Sequence, residues 1–311
     1  MYGTPSYDEI DPTLFLGLTY MFLFGAMFGD LGQGIVLLLV GYMMSKRNIG
    51  GLGAGILMRL GVSSMLFGFL YDSFFGYEHV ISKLIGSMFG YGLANAFFIR
   101  PIENINTILI MSIIIGIFLL LVSFGYSIVN KLKKKDIKEG LLGRNGIAGL
   151  CLYLSLIAFG VNAFVPTVQI SSTILKLIIF VTIVAIIFRE PVANLILKHR
   201  PLYHESASEY YVESGFDILE TFLSLLSNSI SFIRVGAFAL NHVGLFIAFH
   251  TMASIIGGAM GNISMFIIGN LLVIFLEGLI VFIQGLRLVY YEMFSKYFTG
   301  EGIEFNAVKL G

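Results

Sequence analysis

Two sets of polar and ionisable residues recur at intervals of seven inside long apolar runs. Glu220, Ser227, Arg234 and Asn241 fall in the run at about 216–250, and Asn270, Glu277, Gln284 and Tyr291 in the run at about 262–297. Seven residues make nearly two α-helical turns, so each set forms a narrow stripe that drifts only about 20° per step. His242 extends the first stripe, Ser224, Asn228 and Ser231 lie beside it, and Arg287 follows Gln284 by one turn. A charge near the middle of a membrane-crossing helix costs ~2.5–3.5 kcal/mol on insertion scales, so it persists where it faces a watery path or an opposite charge. Two such stripes facing one another make a path. Glu220, Glu277 and His242 can take up and release protons along it, while Arg234, at the centre of its stripe, keeps its charge throughout. A plainer reading stays open beside this one: Arg234 paired with a carboxylate such as Glu277 to fix helix packing, and His242 as a hydrogen-bonded packing residue.

The elements that must hold these residues belong to a membrane. Of the 311 residues 57% are hydrophobic and 12% charged, with a mean hydropathy of +0.89, whereas a soluble domain carries ~25% charged residues. A net charge of zero and basic residues confined to short blocks argue against nucleic acid as a partner. The single cysteine, Cys151, lies in an apolar run and reads as a small buried hydrophobe, so neither a disulfide framework nor a Cys/His metal centre is expected. The residues before the first apolar run are acidic and polar, without the basic region of a cleavable signal. Asn262-Ile263-Ser264 matches a glycosylation sequon by chance.

Apolar runs at about 13–44, 54–76, 105–130, 146–165, 173–188, 216–250 and 262–297 are separated by polar or charged stretches. The first is too long for one crossing: 32 helical residues reach ~48 Å against a hydrocarbon core of ~30 Å. Its middle reads Gly-Asp-Leu-Gly-Gln-Gly from Gly29 to Gly34. Glycines around an aspartate weaken a helix, so 13–28 and 30–44 are expected to be two short spans or a re-entrant hairpin. Asp30 and Asp72 then read first as caps of a broken helix or a short connector, with Asp30 a secondary candidate for the ion path along with Ser227 and Asn241. Lys46 and Arg47, the cluster Lys131, Lys133, Lys134, Lys135 and Lys138, and then Arg189, Lys198 and Arg200 fall in every second connection. Those connections are expected to face the cytoplasm, and the alternate ones, near 77–104, 166–172 and 251–262, the outside. Eight spans follow if the first run crosses twice, seven if it crosses once. The lysine cluster and His199 and His204 read as solvated connectors.

Several segments carry a family resemblance. Leu223 to Leu245, LSLLSNSISFIRVGAFALNHVGL, is similar to the penultimate membrane helix of the a subunit, also called subunit I, of archaeal and bacterial V/A-type ATPases. Leu276 to Val308, LEGLIVFIQGLRLVYYEMFSKYFTGEGIEFNAV, resembles that family's last helix and tail. Tyr2 to Pro12 (YGTPSYDEIDP), Met27 to Gly34 (MFGDLGQG), Gly68 to Gly76 (GFLYDSFFG) and Arg100 to Asn104 (RPIEN) agree in order along the chain.

The resemblance implies an all-α integral membrane fold of about eight helices, whose long, tilted last pair curves against a ring of c-type proteolipid subunits. It divides the single membrane domain into a short N-terminal segment (1–12), a helical scaffold (13–212), the ion-path helix pair (213–299) and a cytoplasmic tail (300–311). The family's essential arginine falls on Arg234 and its second intramembrane arginine on Arg287. Its polar channel residues fall on Glu220, His242 and Glu277, and Gln284 is added from its stripe. Two offset half-channels would deliver H+ or Na+ to and from the ring carboxylates, with Arg234 stabilising the ionised carboxylate as it passes. Peripheral-stalk and central-stalk subunits of the complex are the further implied partners, and the plasma membrane of an archaeon or bacterium the implied location. Nothing resembles a phosphate-binding loop, so no catalytic residue, cofactor or metal site is expected. The family's long soluble arm would precede the Tyr-Gly-x-Pro segment, which here follows Met1, leaving the arm either a separate chain or removed. The rival class is a secondary ion-coupled transporter with broken helices, disfavoured because neither the Gly-Asp-Leu-Gly break nor the paired stripes recur. A purely structural membrane anchor is a third, and predicts that Arg234 is dispensable for transport.

Overall fold

The computed structural model describes residues 9–89, 101–102, 104–134, 136–164, 171–197 and 207–298, with Thr4, Ser6, Ile99, Gly300 and Gly302. Arg100 and Glu103 of the RPIEN segment, Lys135, Lys198, Arg200 and both connector histidines, His199 and His204, lie outside the described residues. Four helical stretches among the described residues are long and apolar enough to cross a membrane: Leu52–Leu70, Ile105–Lys133, Glu209–Ile256 and Gly258–Tyr297. Shorter apolar helices cover Thr13–Met27, Leu31–Lys46, Ile147–Ala163 and Ser172–Ile187. The protein is helical throughout these stretches, and its chain divides into two compact units, residues 12–115 with 231–289, and residues 1–11 with 116–230 and 290–311.

In the first unit, α1 (Thr13–Met27) and α2 (Leu31–Lys46) are separated by a break at 28–30, as the glycines and Asp30 predict. The break reverses the chain. Gly25 of α1 lies against Ser63 and Phe67 of α3 (Leu52–Leu70), and the Tyr71 hydroxyl donates to the Ala26 carbonyl, so α1 runs alongside the second half of α3 in the same direction. Gly34 of α2 lies against Gly61 and Met65, and Gly41 against Ala54 and Met58, so α2 returns antiparallel to α3. Hydroxyls on α3 bond carbonyls of α1 and of the break: Ser63 donates to Met21 O, within α1, at 2.6 Å, and Ser64 to Phe28 O at 2.6 Å and Asp30 O at 3.1 Å at the break. In lipid, such internal satisfaction is what allows a broken helix to persist.

The α2–α3 contact depends on missing side chains. A Cβ on Gly68 would sit 2.1 Å from Leu31 N and 2.4 Å from Asp30 C, and one on Gly61 would sit 2.7 Å from Leu38 N. These neighbours are backbone atoms and cannot rotate away. Gly34 and Gly41 on α2, and Gly61 and Gly68 on α3, are each seven apart, so two small faces meet along both helices and dispersion replaces the hydrophobic effect as the adhesive.

After α3 the chain forms a two-stranded hairpin that the sequence reading did not foresee, β1 (Ser73–Phe74) against β2 (Tyr77–Glu78), with Phe74 opposite Tyr77. Phe75 and Gly76 at its tip both have positive φ, 50° and 76°, the pattern of a type I′ turn. Asp72 then caps α4 (Val80–Phe89), its Oδ1 accepting from Ile81 N and Ser82 N at 2.9 Å each. Capping is therefore its role, as expected. Helix α5 (Ile105–Lys133) begins in this unit, and α11 (Ile233–Ile256) and α12 (Gly258–Leu272) belong to it.

Between those two helices and their neighbours the helical stripes of the sequence reading need correction. The run at 216–250 is two helices, α10 (Ala207–Ser231) and α11, parted at Phe232, where Val235 N bonds Phe232 O in a tighter turn. Ser229 donates back to Leu225 O one turn before the break, a contact that bends helices. Arg234 therefore sits in the first turn of α11 rather than mid-helix. The last run, Gly258 to Tyr297, contains π-helical turns at Val273–Glu277 and Leu288–Phe294 on either side of α13 (Gly278–Arg287), and ends in α14 (Ser295–Tyr297). A π turn accommodates an extra residue, so a seven-residue spacing does not hold one face across it.

In the second unit, α7 (Ile147–Phe164) pairs with α8 (Ser172–Ile187), and the Tyr153 hydroxyl lies 3.0 Å from that of Ser229 on α10. Cys151, on α7, is free and half-buried rather than buried. The lysine cluster is paired rather than merely solvated: Lys131 with Glu139 at 3.5 Å, Lys134 with Glu9 at 3.1 Å and Lys138 with Glu190. Arg189, at the start of α9 (Arg189–Leu197), joins Asp217 at 2.9 Å and Glu139 at 3.7 Å. Connectors that sequence composition reads as loose are thus cross-linked through charges on α6 (Ile137–Leu141), α9 and α10.

The glycine contact gives a direct test. Gly68→Ala forces backbone apart and is expected to destabilise the detergent-solubilised subunit by ~1–3 kcal/mol, read as a lowered thermal midpoint. Gly53→Ala, where a Cβ meets nothing within 4 Å, is expected to leave the midpoint unchanged or raise it slightly.

Candidate ion-path site

The first unit holds a cluster of buried ionisable side chains at its centre. Asp30, His242 and Glu277 are 0%, 2% and 3% exposed. His242 Nδ1 lies 2.9 Å from Glu277 Oε2, and its Nε2 3.9 Å from Asp30 Oδ2. The imidazole is thus placed between two carboxylates, one facing each nitrogen. The Phe28 and Phe246 rings pack edge-on against it at centroid distances of 5.2 and 5.3 Å. Each of the three residues comes from a different helix segment: the α1–α2 break, the middle of α11 and the end of the first π turn.

Asp30 is the most heavily bonded of them. Its Oδ1 accepts from Gln33 N at 2.9 Å and Phe75 N at 3.0 Å, and its Oδ2 from the Ser73 hydroxyl at 2.7 Å and Gly76 N at 2.8 Å. It caps α2 and at the same time holds the tip of the β hairpin. Two successive backbone N–H groups at that tip, presented by left-handed residues, form a small anion nest. Gln33 extends the network, donating from Nε2 to Asn270 Oδ1 at 3.0 Å, while Asn270 donates to Phe266 O at 3.0 Å. Gln33 Oε1, Glu277 Oε1 and Gln284 Oε1 are buried without a hydrogen-bond partner among the described residues. A seam of polar atoms with spare acceptor capacity therefore runs through an otherwise apolar unit.

The cluster can do proton chemistry. The ring nitrogen Nδ1 is within hydrogen-bond distance of Glu277, so a proton can pass directly between those two groups. Nε2 faces Asp30 across 3.9 Å, too far for a hydrogen bond, so transfer to that side needs a shorter approach.

The structure brings some of the expected residues together and separates others. His242 and Glu277 meet directly and Asp30 joins them; of the three, only Asp30 ranked as a secondary candidate on sequence. Arg234 is half-buried on α11, and Glu277, the carboxylate named from sequence as an example of a partner for it, hydrogen-bonds His242. Asn241 and Arg287 are exposed, and Gln284 is half-buried. Glu220 and Ser227 belong to the second unit, on α10, and both are exposed. Glu220 pairs there with Arg144 at 3.1 Å and lines a cleft of about 160 Å³ with Thr221, Ser224, Ser295 and Lys296. Lys296 is buried, with Nζ 4.8 Å from the Phe124 ring centroid.

Sequence reasoning missed Gln33, Ser73, Arg144, Lys296 and the backbone donors of Phe75 and Gly76. Gln33 carried a signal, since it lies in the same Gly-Asp-Leu-Gly-Gln-Gly break as Asp30. Ser73 and the hairpin tip did not, because a hairpin with strands of two residues each, at the end of an apolar run, leaves no periodicity to read.

A polytopic helical membrane protein with a buried carboxylate–imidazole centre is thereby defined, and comparison with known proteins narrows the class. Residues 1–91 match the V-type ATPase 116kDa subunit family. The A-type ATP synthase subunit I of Saccharolobus solfataricus is 31% identical over 99% of this chain and 52% of its own length. Those of Aeropyrum pernix and Methanocaldococcus jannaschii are 27% and 24% identical, over 100% and 99% of this chain and 49% and 46% of theirs. The chain is thus similar to the V-type ATPase 116kDa subunit family over its first 91 residues and to archaeal subunit I along nearly its whole length, and it spans about half the length of the curated relatives it matches.

The two ion-paired regions should respond differently to mutation. Asp30→Ala leaves four buried donors without an acceptor and is expected to cost ~3 kcal/mol or more, read as loss of the folded subunit on heating in detergent. Arg144→Ala removes one partner of an exposed pair and is expected to change the same midpoint by less than ~1 kcal/mol.

Proposed function

We propose that this chain is the membrane part of the stator a subunit of a rotary A/V-type ATP synthase, supplying the ion path beside a ring of proteolipid subunits. The observation that carries the reading is the buried Asp30–His242–Glu277 centre in a chain related to archaeal subunit I over nearly its whole length. In this reading the chain crosses the membrane about eight times, with α1 and α2 as two short spans and a cytoplasmic C-terminus. It is not itself catalytic, since ATP chemistry belongs to other subunits of the complex, and its further partners are the central and peripheral stalks.

Arg234 is the fixed charge of the mechanism. A ring carboxylate must carry a bound ion to face lipid, because an ionised carboxylate in hydrocarbon costs several kcal/mol. Beside Arg234 the ionised form is stabilised, so an arriving site releases its ion and the bare carboxylate passes. The ion cannot follow it past a permanent cation, which prevents a short circuit. Glu220 with Ser227, in one unit, and His242, Glu277, Asn241 and Gln284, in the other, are assigned to two half-channels, with Arg287 as a second fixed charge and Asp30 as an additional acceptor. The kink at Phe232 supports the separation, because Glu220 and His242 lie on different helices rather than on one stripe.

Arg234→Ala in the assembled complex is the decisive variant. Coupled ion transport into sealed membrane vesicles is expected to disappear while the subunit still copurifies with its ring. Transport at the wild-type rate in that variant overturns the stator reading and leaves Arg234 as a packing residue.

A further inference from the structure

The side of the cluster away from Glu277 borders two clefts. One, of about 210 Å³, is lined by Phe75, Phe246, His250, Asn262 and Asn270 among others, and the second, of about 260 Å³, by Glu78, Thr251 and again Phe246 and His250. Tyr77, common to both, meets the His250 ring edge-on at 4.5 Å and stands between them. Phe246 forms a wall of each cleft. On its far side the same ring touches His242, with centroids 5.3 Å apart. It also lies flat on the hairpin tip, where a Cβ on Gly76 would come within 2.0 Å of Phe246 Cδ1, and Gly76 N is one of the donors to Asp30. One aromatic side chain thus borders both clefts and the buried carboxylate–imidazole centre.

The residues around these clefts come from the β hairpin and from the stretches 243–253 of α11 and 262–270 of α12 that flank the turn at Gly257; that turn and the connection entered by the hairpin are the two poor in Lys and Arg that the charge pattern puts outside. Among mainly apolar walls the clefts carry an imidazole, two amides, a tyrosine hydroxyl, a threonine and the Glu78 carboxylate, enough polar partners to hold ordered water.

We propose that the clefts are the outer vestibule of the ion path and that the Phe246 ring is its gate, swinging aside to connect outside water with the His242–Glu277–Asp30 cluster. The proposal rests on the reading of the chain as an ion-path subunit. It gives Phe246 a role that neither stripe contains: it is a positioning residue that closes an apolar seal about one ring thick, leaving the cluster dry until the ring moves. A side chain in a single aromatic rotamer can do this with a χ1 change alone, without moving a helix.

Thiol accessibility in the assembled complex tests it, in sealed vesicles of known orientation with Cys151 replaced by Ala. Asn262→Cys reports the rim, Ser73→Cys the space beneath the ring, and the probe is a membrane-impermeant maleimide. The expected result is that Asn262→Cys labels from the outer face only, and that Ser73→Cys labels slowly at rest and roughly tenfold faster either during ATP-driven turnover or in combination with Phe246→Ala. Amide exchange at Gly76 in the otherwise native chain supplies the same comparison without a cysteine beside Asp30, and is expected to accelerate with Phe246→Ala and with turnover. Labelling of Asn262→Cys from the inner face, or Gly76 exchange that is indifferent to both Phe246→Ala and turnover, overturns the proposal. Because labelling and exchange at rest need no transport, they separate a failed gate from a failed ion-path assignment, which the Arg234 variant reports.

Discussion

The carboxylate of Asp30 is withdrawn from solvent, and that condition organises the first unit. An ion of this size loses several kcal/mol of hydration on burial, and the loss has to be offset locally. Four donors do so, from three places: the first turn of α2, the Ser73 hydroxyl and the hairpin tip. Each charge-assisted bond contributes ~1.5–3 kcal/mol. The same bonds fix the geometry around them. Phe75, Asp72 and His79 all take left-handed backbone conformations that cost an ordinary residue about 1–2 kcal/mol. The hairpin they form and flank is only six residues long, from Ser73 to Glu78, and could not stand alone. It is held because its tip supplies two of the four donors, so the strain of the turn and the burial of the charge compensate one another.

This arrangement explains why the break in the first apolar run sits where it does. A continuous helix through 13–46 would present residue 30 on one face with its carboxylate confronting either lipid or packed side chains. Reversing the chain at 28–30 turns Asp30 into a cap and aims it at α11. The reversal is possible because α3 carries glycine and serine where α1 and α2 must approach it: Gly61 and Gly68 let backbones touch, Ser63 bonds a carbonyl within α1, and Ser64 bonds the Phe28 and Asp30 carbonyls at the break.

Much of this was legible in the sequence, and the misses have a common cause. The break at Asp30, the polar character of the last two runs and the choice of His242 and Glu277 as path residues follow from local composition and resemblance, which survive whatever the helices do; that these two side chains meet is not read from either. The stripes themselves do not survive. They assume a constant advance per residue, and the structure departs from it at Phe232 and at both π turns, so Arg234 lies in a first turn and Glu220 belongs to another unit than His242. Contacts across long sequence separations, such as Gln33 with Asn270, leave no periodic trace at all. The charged connectors fail for a different reason. Composition marks Lys131 to Lys138 as wet, but only the fold shows that Glu9, Glu139 and Glu190 come to meet them.

The π turn at Val273–Glu277 has a consequence for how this helix can vary. Each π turn takes up one residue beyond the α-helical count, which is ~100° of rotation in an α-helix. Its presence sets the azimuth of everything after Gly278 independently of everything before Val273. Glu277 can therefore stay turned toward His242 while Gly269 and Asn270, before the turn, keep their own buried face. The turn behaves as a coupling between two shafts set at different angles. A single-residue deletion inside it would restore an ordinary helix of full regularity and local stability, yet would rotate the buried carboxylate away from the face on which the outer half of the helix is aligned.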